Sequence, residues 1–393
     1  MADPVTTPSG RTALSLRTAR RLRWALPVGI GATVAAVTLL PGAASAGDAP
    51  TLPARTAAQL LADLQSADVA ALSGTVVETA RLGLPEIPSV AGAGTGTGPL
   101  SLATGSTTVK VWYDGAERQR IAMLGQLAEY DAVHAGRDLW TYTSEKNAVA
   151  HVTLPAAGAE HARPGGGTGS VADPRSLATP QAAAEAALRA VDPTTSVTVD
   201  RTARVAGRAA YQLVLAPKGS GSLVASVQIA LDAATSTPLR VQVWGTGDPS
   251  TPAFEVGFTD VSFSRPDAAI FAFTPPPGAT VKEAALPADA PAGHAAEAPG
   301  ATAGQPSPTT AVTGTGWSSV LTVRGVDPAG ASGAGSKGSS GSGADAAALL
   351  DKLTTRVPEG RVLRTALLSA LLTDDGRLLV GAVPPERLQE LAR

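Results

Sequence analysis

Between Leu223 and Asp232 the side chains alternate: Leu223, Ala225, Val227, Ile229 and Leu231 fall on one side of an extended chain, and Val224, Ser226, Gln228, Ala230 and Asp232 on the other. A period of two places one set on a core and the other toward polar surroundings, which a helix of 3.6 residues per turn cannot do. Leu239, Val241 and Val243 alternate in the same way after a turn around Asp232–Pro238, so the two runs are predicted to pair as an antiparallel hairpin. Phe254, Val256 and Phe258 share a face, but Val261 and Phe263 are out of phase with them. A β-bulge near Thr259-Asp260 is therefore predicted, and bulges curve sheets.

The same grammar runs from Leu72 to Leu154, as short alternating runs separated by turn residues such as Asp114-Gly115. Two helices interrupt it. Thr56–Asp68 places Leu60, Leu61 and Leu64 on one side, and Thr179-Pro180 is a cap and first-turn pair opening an alanine-rich helix through Val191, stopped by Asp192-Pro193. Gly92–Gly98 and Gly165–Gly169 read as flexible insertions. Residues 283–313 are Ala/Pro-rich with few large apolar side chains and read as a disordered linker. Beyond it, residues 314–393 read as a small α+β module: a strand at Trp317–Val323, a Gly/Ser-rich insert at 329–343, a helix at Asp345–Arg356, a hairpin of Val362–Thr373 and Arg377–Val383 about Asp374-Asp375-Gly376, and a final helix over Pro384–Ala392.

The N-terminus is an address. Arg11, Arg17, Arg20, Arg21 and Arg23 precede the uncharged stretch Trp24–Leu40, then come Pro41 and the small-x-small site Ala44-Ser45-Ala46. Basic region, apolar region and peptidase site in that order make residues 1–46 a signal peptide or a membrane anchor, so the protein is expected to be extracytoplasmic, secreted or tethered to the outer side of the cytoplasmic membrane.

Composition narrows the chemistry. The net charge is −2, and no block rich in lysine and arginine follows the first two dozen residues, so nucleic acid is not an expected partner. With no cysteine, disulfides, thiolate sites and cysteine nucleophiles are excluded. His134, His151, His161 and His294 lack metal-ligand spacing, and there is no Gly-x-Ser-x-Gly; neither metal nor cofactor nor enzymatic activity is expected. Gly333–Gly338 matches a dinucleotide pattern only formally, since no strand leads into it, and Asp374-Asp375-Gly376 reads as a hairpin turn rather than a calcium loop.

From about Leu52 to Val281 the chain resembles the LolA-like superfamily, which includes lipoprotein carriers and the N-terminal domain of RseB (MucB). The matching residues are Val109-Lys110-Val111-Trp112-Tyr113-Asp114-Gly115, Gly136-Arg137-Asp138-Leu139-Trp140-Thr141-Tyr142 with Asn147-Ala148-Val149, Pro238-Leu239-Arg240-Val241, and Phe271-Ala272-Phe273 running into Thr274-Pro275-Pro276-Pro277-Gly278-Ala279. The resemblance implies an α+β fold: a curved, incomplete antiparallel β-barrel over residues 52–282, with helices on its concave side. The added small module follows the RseB plan. It implies an apolar cavity for lipid or lipoprotein acyl chains, in a carrier or a sensor. The alternative is a regulatory interaction protein of the cell envelope whose partner is an anti-sigma factor or a transporter. Candidate cavity residues are Val109, Val111, Leu139, Trp140, Leu213, Val227, Ile229, Leu231, Val241, Val243 and Phe258.

Overall fold

The computed structural model describes residues 50–67, 69–84, 104–125, 128–154, 179–285, 309–325 and 352–393. The N-terminal address, both glycine-rich insertions, the 329–343 insert and residues 286–308 of the linker lie outside the described residues. Residues 50–393 form one compact unit. No helix among the described residues is long and apolar enough to cross a membrane.

The first helix, α1 (Ala57–Ser66), starts at a capping box: Thr56 Oγ1 accepts from the Gln59 backbone N–H at 3.2 Å, and Gln59 Oε1 accepts from the Thr56 N–H at 2.8 Å. It buries Leu60 and Leu64. Six strands follow: β1 (Ala71–Arg81), β2 (Thr104–Asp114), β3 (Arg118–Leu124), β4 (Glu129–Ala135), β5 (Asp138–Thr143) and β6 (Ala148–Thr153). Helix α2 (Pro180–Arg189) is capped by Thr179 and buries only small side chains, Pro180, Ala183 and Ala184. Then come β7 (Thr195–Val205), β8 (Arg208–Pro217), β9 (Val224–Asp232), β10 (Pro238–Gly245), β11 (Phe254–Ser262) and β12 (Thr280–Ala285).

All twelve strands lie in one open sheet of order β12-β6-β5-β4-β3-β2-β1-β11-β10-β9-β8-β7. The sheet is mixed rather than wholly antiparallel, because β12 runs parallel to β6. That strand arrives from the far side of the sheet through a 3-10 turn (Ala268–Phe271), which packs on β3 and β4, so it reaches β6 in the parallel sense. The bulge expected near Thr259-Asp260 is present. Thr75 opposes Asp260 while Val76 opposes Phe258, leaving Thr259 as the extra residue.

A second sheet of order β13-β14-β18-β17-β16-β15 is formed by β13 (Thr309–Thr313), β14 (Val320–Arg324), β15 (Thr354–Val357), β16 (Gly360–Arg364), β17 (Ser369–Thr373) and β18 (Arg377–Gly381), with helix α3 (Pro385–Ala392) on one face through Leu388 and Ala392. Several boundaries differ from the sequence expectations. Residues Glu283–Ala285 and Thr309–Thr313, at the two ends of the expected linker, are strand. The strand expected from Trp317 begins at Val320, because Gly314 and Gly316 take φ of 88° and 56° and Gly316–Ser318 forms a 3-10 turn. Thr354–Val357, expected at the end of a helix, is instead an edge strand paired with β16. The run Val362–Thr373 is two strands, β16 and β17, divided where the Thr365 hydroxyl closes a turn onto Leu368 O at 2.8 Å.

The two sheets touch end to end. Leu223 N–H donates to Ala382 O at 2.7 Å, Ala366 N–H donates to Leu82 O at 2.9 Å, and Trp317 Nε1 donates to Thr195 Oγ1 at 2.8 Å. Gly245 is needed there, since a Cβ would stand 2.9 Å from Ala366 O.

Candidate functional site

Strand register carries one row of side chains across the large sheet. Leu213 opposes Ile229, Ile229 opposes Val241, Val241 opposes Val256, Val256 opposes Glu78, and Glu78 opposes Thr107. Directly opposed residues of antiparallel strands share a face, so all of these lie on one side, here the apolar face. Val109 is two residues from Thr107 and opposes Met123, which opposes Tyr130, which opposes Thr143. By the same count Val111, Leu139, Val227, Leu231, Val243 and Phe258 also belong to it. Ten of the eleven candidate residues thus share a face. Trp140 does not: it opposes Val133 and His151 on the second face.

Coverage of the apolar face is uneven. Leu213 and Ile229 are 0% exposed and Val241 is 2% exposed, in one core cluster with Leu60 and Leu64 of α1 and Ala183 and Ala184 of α2. Helix α2 packs on β10 and β11, and α1 on β7. On β4, β5 and β6 the same face carries Tyr130, Ala132, Leu139, Thr141, Thr143, Ala150 and Val152, all only half-buried. There the buried residues, Asp131, Val133 and Val149, are on the second face. That face is covered by the 3-10 turn with Phe271, and Arg120 ties the two together through Asp131 Oδ2 at 2.6 Å and Ile270 O at 2.9 Å.

Trp140 and His151 make a second cluster. The two rings stack at 3.7 Å with an interplanar angle of 8°, and Phe273 stands 5.4 Å from Trp140. His151 Nε2 lies 2.9 Å from Asp138 Oδ1 and its Nδ1 lies 2.7 Å from Glu283 Oε2. The hydrogen bond to Asp138, opposed by partial desolvation and helped by Glu283, raises the imidazole pKa. His151 therefore clamps β12 to β6. His134 is placed apart from it, with Nε2 2.9 Å from Gly136 O, and His161 and His294 lie outside the described residues. In the β17–β18 turn, Asp374 pairs with Arg356 at 2.8 Å and Asp375 with Arg377 at 2.8 Å.

The residue that sequence reasoning missed is Glu78. It is 1% exposed, on the apolar face, and neither carboxyl oxygen has a hydrogen-bond partner. Burial pushes its pKa up to about 8, and the neighbouring Thr107 hydroxyl offsets this only in part. The signal was available: Val76, Glu78 and Ala80 form one stripe of period two, with a lone carboxyl in its middle. Asp232 shows the contrasting case. Burial pushes it up, but hydrogen bonds from Arg208, at 2.5 and 2.9 Å, and from Thr235 outweigh this and hold it below the usual carboxylate range.

A separate cleft of about 350 Å³ lies where the two sheets meet, lined by Thr194, Pro217, Lys218, Ser222, Thr315 and Trp317.

No family model and no curated protein sequence matches the chain. Among solved structures it is similar to MucB in the Pseudomonas aeruginosa MucA/MucB complex, at 16% identity over 86% of this chain and 96% of that one, with a TM-score of 0.39. It is also similar to an uncharacterized conserved protein from Thermus thermophilus, at 12% identity over 58% of this chain and 99% of that one, with a TM-score of 0.32. A LolA superfamily protein from Nitrosomonas europaea matches at 11% identity over 56% of this chain and 99% of that one, with a TM-score of 0.20.

Proposed function

We propose that this is a non-enzymatic, extracytoplasmic protein of LolA/RseB-like kind that binds lipid or lipoprotein acyl chains on the apolar face of its large sheet, as a carrier or a sensor. One observation carries the reading: a single face runs from β8 to β6, yet among the described residues helices pack on only one half of it. Acyl chains need no catalytic group, only dry apolar surface, at about 0.8 kcal/mol per buried methylene. The half-buried residues of β4, β5 and β6 offer such surface beside a packed core.

The test uses the pair Leu139 and Val152, which oppose each other on that half. Leu139→Arg with Val152→Arg is expected to abolish binding of a fluorescent fatty acid while leaving the melting temperature near wild type. Thr153→Arg, exposed on the second face, serves as the control. Undiminished binding by the double variant would refute this location of the site.

A second reading, a regulatory protein that binds an anti-sigma factor or a transporter through the 314–393 module, is favoured by the cleft at the junction of the sheets. Its signature is a membrane-protein partner that binds the full chain, is lost on Trp317→Ala, and is indifferent to Leu139→Arg.

A further inference from the structure

Glu78 presents an unsolved problem of charge and hydrogen bonding. A carboxyl buried without a partner loses its hydration and gains nothing in return, which is costly enough that most proteins do not tolerate it. Among the described residues no charged group compensates. Strand β2 presents Thr107 and Val109 beside it, β11 presents Val256 and Phe258, β1 itself presents Val76 and Ala80, and α2, the helix nearest on this side, buries Pro180, Ala183 and Ala184. Its surroundings are aliphatic, aromatic or hydroxyl, and the acid is accordingly protonated at neutral pH, with one O–H to donate.

We propose that Glu78 is the polar anchor of the ligand site, donating a hydrogen bond to the ester or amide carbonyl oxygen of an acyl ligand whose chain runs from β1 and β2 onto the half-buried face of β4, β5 and β6. The inference rests on the acyl-binding reading of the face and adds to it where the ligand's polar end is held. A neutral acid suits a neutral acceptor: it orients a carbonyl without demanding a counter-charge, whereas an arginine or lysine there would select an anion. The way in is beneath α2. That helix fully buries only Pro180, Ala183 and Ala184 and sets Leu188 partly against the core, whereas α1 fully buries Leu60 and Leu64, so lifting α2 uncovers less fully buried apolar surface.

The experiment measures displacement of an apolar fluorophore from the full chain by methyl palmitate, which carries an ester carbonyl, and by octadecane, which has no oxygen. Wild type is expected to favour the ester by about three- to tenfold, the worth of one buried hydrogen bond. Glu78→Met should erase that preference and Glu78→Gln, whose amide still donates, should keep most of it. Above about pH 8 the wild-type preference should fall while that of Glu78→Gln stays level. Glu78→Met should also melt no lower than wild type, because it removes an unpartnered polar group. Retention of the ester preference by Glu78→Met, or a clearly lower melting temperature, overturns the anchor. Binding of both probes without any preference overturns the anchor alone, and binding of neither overturns the acyl-binding reading with it.

Discussion

The two halves of the large sheet are written in the same alternating pattern and buried on opposite faces. On β8, β9, β10 and β11 the large buried side chains Leu213, Ile229, Val241 and Val256 lie on the apolar face, while the other buries the smaller Ala210, Ala230 and Asp232 and pairs Gln212 with Gln228 and Gln242 with Glu255. On β4, β5 and β6 the buried residues are Asp131, Val133 and Val149 on the second face. The difference follows from what covers each half: α1 and α2 on one side, the Ala268–Phe271 turn on the other. Alternation states that a strand has two unlike faces. Which face is dry depends on the element laid over it.

This contrast can be broken most sharply at the Arg208–Asp232 ion pair, whose carboxylate is buried. Arg208→Ala leaves Asp232, 2% exposed, without its guanidinium, and should cost about 3–5 kcal/mol in urea unfolding. Ile229→Ala on the covered half should cost about 2–5 kcal/mol, whereas Leu139→Ala on the same face of the uncovered half should cost about 1 kcal/mol or less. Equal costs at the two positions would show that both halves are packed alike.

A smaller effect is expected from pH. Glu78 has a folded pKa raised to about 8 from 4.5, so the folded state holds its proton more tightly than the unfolded chain does. Its contribution is fully present below pH 4.5 and is lost as pH rises toward 8. His151, also raised, contributes in the same direction, with its stability lost as pH rises through its folded pKa. Thermal melting across this range should show stability falling with pH, with the slope reduced more by Glu78→Gln than by His151→Asn. A greater reduction by His151→Asn would reverse the ranking of the buried carboxyl over the exposed clamp. The smallest effect is local. His151→Asn should change global stability by about 1 kcal/mol or less, yet speed amide exchange in Thr280–Ala285, because that strand is held through β6, Asn147 and this clamp.

The sequence by itself determined the strands of the large sheet from Leu223 to Phe258, the capped starts of α1 and α2, the β9–β10 hairpin and the bulge at Thr259, because each is set by local chemistry: period-two patterning, a cap hydroxyl, a turn, or a slip of phase. It also brought ten of the candidate residues to one face, since side chains two apart in a strand must point the same way. Tertiary structure alone decided the rest. Trp140 left that face because register fixes sides only once strands are paired, and neither Leu139 nor Trp140 carries a mark of which will face the helices. The parallel return of β12, the strand at Thr354–Arg356 where the end of the Asp345–Arg356 helix was expected, and the burial of Glu78 depend on partners far away in the chain. A carboxyl is hydrated or dry according to what is packed over it, and local sequence does not encode that.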